Sequence, residues 1–466
     1  MLPTIATGNV ASALPTGYNI ANSCRFNDGD SAHMLRTFGT PTDNLKWTWS
    51  GWFKRSTVPG GGQLLAYSFT SSPDGREAGP DLRSDGTLRM RNWHGDAQKG
   101  NIHTNRVFRD VSAWYNLQLV YDSANATAGN RMRMYLNGTE ITSFSTDANP
   151  DEDQASTFNS AIEHSIGSYR NSSNFFDGYM AEIVFIDGQA LTPSSFGEFS
   201  EDSPTIWMPK DPSGLTFGDN GYWLDFENSA ALGNDVSGND NDFTVGNLAA
   251  ADQATDTPTN NFATMNPLAG NGTYTEGNLI VTGGNNVVST FGVNAGRWYC
   301  ECKITLASGA LYPLIGIADS GNIFATDPGA SGYPGSHTPS YGIFGNGSLY
   351  ANGSNEGDQG FSDFADNDII GMYLDLDSGT KTIKWHVNGT EVATDNITAP
   401  DNAYVFGHYT GGESTVVGKW NFGNPTSALS SANSDPNGYG SFEYSTSESS
   451  IDYYALCTKN LAEHGG

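Results

Sequence analysis

The sequence predicts an all-β protein built from two antiparallel β-sandwich domains in tandem, and three observations predict it. Met132 to Ile141 (MRMYLNGTEI) and Ile383 to Val392 (IKWHVNGTEV) are two copies of one pattern, 251 residues apart at their Asn-Gly pairs. In each copy apolar side chains alternate (Met132, Met134 and Leu136; Ile383, Trp385 and Val387), which is the period of a strand with one buried face. Each run meets Asn137-Gly138 or Asn388-Gly389, the dipeptide that best tolerates the positive φ values of a type I′ hairpin turn. Second, a strand ending in Asp-Ser precedes each hairpin, Trp114–Ser123 and Asp368–Ser378, so the repeat is of a domain rather than of a turn. Third, 56 glycines and 12% aromatic residues, with no run of ten or more residues at helical spacing, describe short strands joined by tight turns.

Taken in order, residues 1–23 are polar, rich in Gly, Ala, Thr and Pro and without period, and are expected to form an extended arm pinned by a partner. A first sandwich is assigned to 24–205. Its strands begin near Cys24-Arg25-Phe26, followed by Lys46–Lys54 with Trp47, Trp49 and Trp52, where the change of spacing predicts a bulge at Gly51. Residues 206–268 are a connector, expected to be ordered against the first sandwich because Trp207, Tyr222, Trp223, Leu224 and Phe226 are too apolar to stay in water. The second sandwich is assigned to 269–466. In 466 residues each domain is long enough to bury its own core.

With 51 acidic and 22 basic residues the net charge is −29, which opposes binding to phosphate backbones and to anionic membrane surfaces. Solubility, or life in salty water, explains the acidity better than an acidic active surface. No stretch approaches the ~20 apolar residues of a membrane span, and MLPTIATGNV has neither a basic n-region nor a long apolar h-region, so synthesis without a signal peptide is expected. Cys24, Cys300, Cys302 and Cys457 are too sparse for a disulfide scaffold, and Cys300 and Cys302 share one face of a strand; all four are expected as reduced thiols.

Residues 24–205 resemble the laminin-G-like members of the concanavalin A-like lectin/glucanase superfamily, through Trp47–Arg55 (WTWSGWFKR), Trp114–Asp122, the hairpin YLNGTEI and Phe176–Leu191 (FDGYMAEIVFIDGQAL), which is similar to the family's closing strand. The resemblance implies a two-sheet jelly roll. From about 269 the chain resembles the SPRY (B30.2-like) domain, with Gly296–Ile304, Ile315–Asp319, Tyr341–Gly353, Asp368–Val392 and Trp420–Pro425 in that family's order. Tandem modules of these two kinds, with a connector of this type, look like virion proteins of tailed bacteriophages. That resemblance implies a surface protein of the particle, on a tail appendage or the capsid exterior, made in the host cytoplasm. It would be held to other virion proteins through the N-terminal arm and assembled as a homo-oligomer following the symmetry of its attachment point.

Because the superfamily includes glucanases, catalysis is weighed first. Retaining glycosidases need two carboxyl groups ~5 Å apart, supplied in that branch by Glu-x-Asp-x(-x)-Glu on one strand. The nearest matches are Asp225 and Glu227, which lack the first glutamate, and Glu182 with Asp187, whose odd spacing places them on opposite faces. No G-x-S-x-G, H-E-x-x-H, C-x-x-C or phosphate-binding glycine loop occurs, and a non-enzymatic role is expected.

Asp235, Ser237, Asn239, Asn241 and Asp242 form an oxygen-rich turn that could gather a calcium ion. Asx turns use the same residues to satisfy their own backbone, and that reading is preferred. Sugars are held by aromatic platforms with a few amides and hydroxyls, for which the candidates are Trp93, His94 and Asn101 in the first domain and Tyr312, Tyr333, His337 and Tyr341 in the second. The SPRY resemblance implies that the same rim residues could meet a protein instead. The sequence thus points to a phage tail fibre or adhesin component binding a host-surface glycan or protein receptor, with capsid or tail decoration through protein contacts, and then glucanase activity, as the alternatives.

Overall fold

The computed structural model describes residues 6–7, 17–57, 63–70, 75–170, 172–285, 287–307, 313–321, 334–411 and 413–465. Antiparallel sheets dominate, with a short helix at Thr458–His464. The protein is all-β. The chain divides into two compact units, a first of Pro15–Thr259 and a second of Asn260–Gly466 that also takes in the stretch before Pro15.

In the first unit one sheet runs Thr139–Glu140, Met132–Leu136, Tyr115–Asp122, Lys46–Arg55, Gly178–Asp187, Ser23–Phe26, Gln253–Ala254, with Tyr222–Leu224 also on Gly178–Asp187. The other runs Phe144–Ala148, Ala97–Val107, Thr87–His94, Arg76–Leu82, Ala66–Thr70, Glu163–Ile166, His33–Thr37, Thr244–Gly246. Alternate residues of both sheets meet in one core: Trp47, Trp49, Leu119, Met134 and Phe185 from the first, Met34, Ala78, Met90, Ile102 and Ile166 from the second. Tyr222–Leu224, Thr244–Gly246 and Gln253–Ala254, all from the segment after residue 205, are therefore strands of these sheets.

The first sheet's outer face is also covered. Trp52, Trp114 and Tyr179 pack with Ile20, and Val184 and Ile186 with Phe196 and Phe217. Beneath the first of these clusters Lys54 Nζ lies 2.8 Å from Asp256 Oδ2, with both side chains essentially out of solvent.

The bulge expected at Gly51 lies on the neighbouring strand. Lys46–Arg55 pairs regularly with Tyr115–Asp122 through Gly51, whereas Ala181 and Val184 pair with Trp52 and Ser50, leaving Glu182 and Ile183 opposite the glycine. The spacing of the tryptophans has another cause. Gly51 occupies a core position filled by the Trp49 ring, whose Cη2 would lie 2.7 Å from a Cβ there, while Trp52 takes its place on the outer face.

Both Asn-Gly hairpins form, with φ of 46° and 73° at Asn137 and Gly138 and of 49° and 80° at Asn388 and Gly389, as a type I′ turn requires. The equivalence extends to their contacts. Asn116 N–H donates to Asn137 Oδ1 (2.8 Å) and Asn137 N–H to Asn116 O (2.9 Å); Ile369 and Asn388 repeat the pair at 3.0 and 2.9 Å. An aromatic ring covers each glycine: a Cβ on Gly138 would lie 2.3 Å from the Trp207 ring, and one on Gly389 2.7 Å from Tyr444.

In the second unit one sheet runs Thr273–Thr275, Ile280–Thr282, Val416–Asn421, Arg297–Leu306, Ile369–Asp375, Lys381–Val387, Thr390–Ile397, and the other Val287–Val288, Tyr404–Tyr409, Leu314–Asp319, Ser340–Phe344, Ser348–Ala351, Ser354–Asp358. Trp298, Cys300, Cys302, Met372, Trp385 and Trp420 meet Ile315, Ile317, Ile343 and Phe406 between them. A second cluster of Tyr299, Tyr373, Phe442 and Tyr453 closes part of the outer face. All four cysteines are buried and unbridged. Of the expected arm, residues 1–5 and 8–16 lie outside the described residues; Ala6–Thr7 pairs in parallel with Phe291–Gly292.

Candidate functional site

Strand alternation builds a polar and aromatic face on the outside of the first unit's larger sheet. Thr87–His94 sends Leu88 and Met90 to the core and Arg89, Arg91 and Trp93 outward. Arg76–Leu82 buries Ala78 and Leu82 and presents Glu77 and Asp81, and Ala66–Thr70 presents Tyr67 and Phe69. Register aligns them: Phe69 opposes Glu77 and Glu77 opposes Trp93, while Gly79 opposes Arg91 and Arg91 opposes Asn101.

The centre of this face is one charged network. Arg91 Nη2 reaches Glu77 Oε2 at 2.5 Å and donates to the Tyr67 hydroxyl, while its guanidinium lies 5.4 Å from the Tyr67 ring centre. Tyr67 and Tyr169 hydroxyls donate to Glu77 at 2.9 and 3.2 Å, and Tyr169 packs on Tyr67 and Phe69 with ring centres 5.4 and 5.1 Å apart. Burial works against the Arg91 charge, but Tyr67 and Glu77 outweigh it and raise its pKa; burial also raises the pKa values of Tyr67 and Tyr169. These hydrogen bonds hold the four side chains in one geometry. Beside it Phe69, Thr70, Glu77, Arg91, Trp93 and Asp96 line a depression of about 280 Å³. Asn101 donates to Gln98 at 3.2 Å, and its buried Oδ1 has no partner among the described residues.

An aromatic wall, a forked cation and a carboxylate around a cavity of this size are groups of the kind that hold a sugar ring by its apolar face and its hydroxyls.

Residues 27–195 match the family model of the concanavalin A-like lectin/glucanases superfamily. The match lies within the unit that carries this face and agrees with the laminin-G-like resemblance. Among solved structures the chain is similar to a heptameric SAP-like pentraxin from Limulus polyphemus (18% identity, 38% of this chain and 80% of that one, TM-score 0.28). It is also similar to a putative carbohydrate binding protein from Bacteroides ovatus (15% identity, 50% and 61%, TM-score 0.30). A third is stonustoxin (18% identity, 34% and 27%, TM-score 0.27). At these scores the likenesses carry no argument. Comparison with curated proteins found no match.

Of the residues expected from sequence, Trp93 and Asn101 lie on this face. His94 is one residue on and belongs to the other side of its strand, at the Gly95-Asp96 turn. Tyr312 and Tyr333 lie outside the described residues. His337 is half-buried in the loop before Ser340–Phe344, and its Nε2 has no partner among the described residues. Tyr341 is corrected. It is 1% exposed in the core, its hydroxyl accepting from Asn352 Nδ2 and Thr398 N, both at 3.2 Å, because strand parity turns it inward.

The oxygen-rich turn is closed on itself. The Asp235 carboxylate accepts from Trp223 N, Ser237 N, Ser237 Oγ and Asn241 N at 2.8–2.9 Å, and Asp242 Oδ1 accepts from Asp235 N. Asn239 and Asn241 direct their amide N–H groups at Gly218, Asp219 and Gly221 carbonyls, and the Arg36 guanidinium caps Asn241 Oδ1. Backbone and side-chain donors thus occupy both Asp235 oxygens and one of Asp242, the pattern of an Asx turn.

Three of the four acidic candidates have hydrogen-bond partners of their own. Asp225 Oδ1 accepts Glu227 N at 3.0 Å in another Asx turn. Asp187 is buried among Thr42, Asn159 and Asn220, while Glu182, at φ 50° in the bulge, meets the Tyr18 hydroxyl at 3.2 Å. Burial pushes the Glu182 carboxyl up to about 8.

Proposed function

We propose that this chain is a non-enzymatic glycan-binding protein that holds saccharide against Trp93 and Phe69, with Arg91 and Glu77 reading hydroxyls. The observation that carries it is the pre-ordered Tyr67–Glu77–Arg91–Tyr169 network beside an aromatic-walled depression. A site whose polar groups are already fixed costs little further ordering when it binds. The superfamily match supports this reading without deciding between lectin and glucanase.

The wider setting is also our inference and rests on the sequence resemblances. We place the chain on the exterior of a tailed phage, as an oligomeric tail fibre or adhesin component touching host-surface glycans, with a SPRY-like second unit. A decoration role through protein contacts is favoured by one observation, the exposed Phe199 and Ile206 beside Trp207, each 42% exposed.

A glycan array carrying envelope saccharides tests the site. Wild type is expected to bind, and Trp93→Ala to lose about tenfold or more in affinity while melting unchanged, since Trp93 is only half-buried. EDTA is expected to leave binding intact. Equal binding by wild type and Trp93→Ala removes the site.

A further inference from the structure

The second unit carries a cavity of about 300 Å³ on the outer face of its larger sheet, beside the Asn388-Gly389 turn. Its floor is Glu301, Lys303 and Lys419; its walls include Tyr444 and the stretch 425–430. Lys303 and Lys419 are directly opposite each other on adjacent antiparallel strands, Arg297–Leu306 and Val416–Asn421. Like charges in that relation repel.

Neither lysine has an ion pair or hydrogen bond among the described residues, although the chain holds 51 acidic residues for 22 basic ones. The two carboxylates lining the cavity have partners other than the lysines. Glu301 accepts from Tyr299 Oη, Tyr444 N, Asn421 Nδ2 and Glu443 N at 2.9–3.2 Å, and so pins the 443–444 backbone rather than a lysine. Glu443 Oε2 accepts Ser430 N at 2.9 Å and so holds the far wall. Asn388 is turned to Asp368 and Ile369. The open groups include the two ammonium ions, the Ser427 hydroxyl and the Tyr444 ring and hydroxyl, the ring being held by its contact with Gly389.

We propose that this cavity is a binding site for an acidic saccharide, whose carboxylate or sulfate sits between Lys303 and Lys419 while its ring lies against Tyr444. The site is in a different unit from the Trp93 face and stands or falls independently of it. The two ammonium groups supply a paired cation that an anionic oxygen group bridges, relieving their repulsion, and the aromatic wall selects for a ring over a bare inorganic anion.

The test uses the full chain, titrated with oligosaccharides ending in glucuronate, sialate or a sulfated hexose, with the matching neutral oligosaccharides, and with inorganic sulfate. Acidic sugars are expected to bind about tenfold or more tighter than neutral ones, the Lys303→Gln/Lys419→Gln variant to lose that preference, and Trp93→Ala to keep it. Which terminus binds best separates carboxylate from sulfate. Equal affinity for acidic and neutral sugars, a preference that survives the double variant, or inorganic sulfate binding as tightly as the sugars would each overturn the proposal. If the double variant fails to fold, Tyr444→Ala is read instead; unchanged affinity there also overturns it.

Discussion

Replacing Lys54 by Met is expected to destabilise the first unit by about 3–5 kcal/mol, the cost of leaving one member of a buried ion pair without its partner. Lys54 Nζ and Asp256 Oδ2 are 2.8 Å apart at 1% and 0% side-chain exposure, and Asp256 Oδ1 accepts Trp114 Nε1 at 3.0 Å. Met keeps the stem packed along Tyr179, whose ring centre is 5.8 Å from the ammonium, so the loss is one of charge and not of volume. The stranded Asp256 carboxylate then either stays charged in an apolar site or takes up a proton. Lys54→Met with Asp256→Asn restores most of the stability, because both charges are gone and Trp114 retains an acceptor. Urea unfolding followed by tryptophan fluorescence reads both variants; a single-variant loss below about 1 kcal/mol would place the pair in water.

The second large effect is a pH dependence. Glu182 is 6% exposed, and burial, reinforced by the charges of Asp225 and Asp211, pushes its carboxyl from an ordinary 4.5 up to about 8. Between those values the folded protein holds a proton that the unfolded chain has released. The carboxyl therefore costs no stability below about pH 4.5, and its cost grows as pH rises until it levels off near 8. Glu182→Gln keeps the shape without the charge. It is expected to match wild type at pH 4 and to exceed it at pH 8 by on the order of 3–5 kcal/mol. Melting curves across that range check it; parallel curves would mean that Glu182 is ionised in the folded state.

These residues also mark where reading the sequence works and where it stops. The two hairpins were legible because a type I′ turn is a local demand: Asn137-Gly138 and Asn388-Gly389 meet it with their own φ values. Trp93 and Asn101 were legible by residue type, as an aromatic and an amide, although they lie on strands and not in the loops that the sequence suggests. Tyr67, Glu77 and Tyr169, which fix Arg91, were not, because register joins residues as much as 102 positions apart into one network. The outward alternation of Arg89, Arg91 and Trp93 against Leu88 and Met90 was the available signal. Tyr341 was misread as a loop residue because its strand begins one residue earlier, at Ser340, and a one-residue difference decides which face a side chain joins. In the Asp235 turn, metal loops and Asx turns share a composition, and Arg36, which caps Asn241 Oδ1 from 205 positions away, could not be read from the turn itself. Gly51 reads as a break in a strand until the Trp49 ring is seen to occupy the space above it.

The most direct test of the whole account is oxidative footprinting of the full chain with and without its best array glycan, with reducing ends assayed on the same sample. Protection of Trp93 and Phe69 with no new reducing ends is the expected result. Release of reducing ends, or protection that leaves Trp93 and Phe69 as reactive as before, would contradict it.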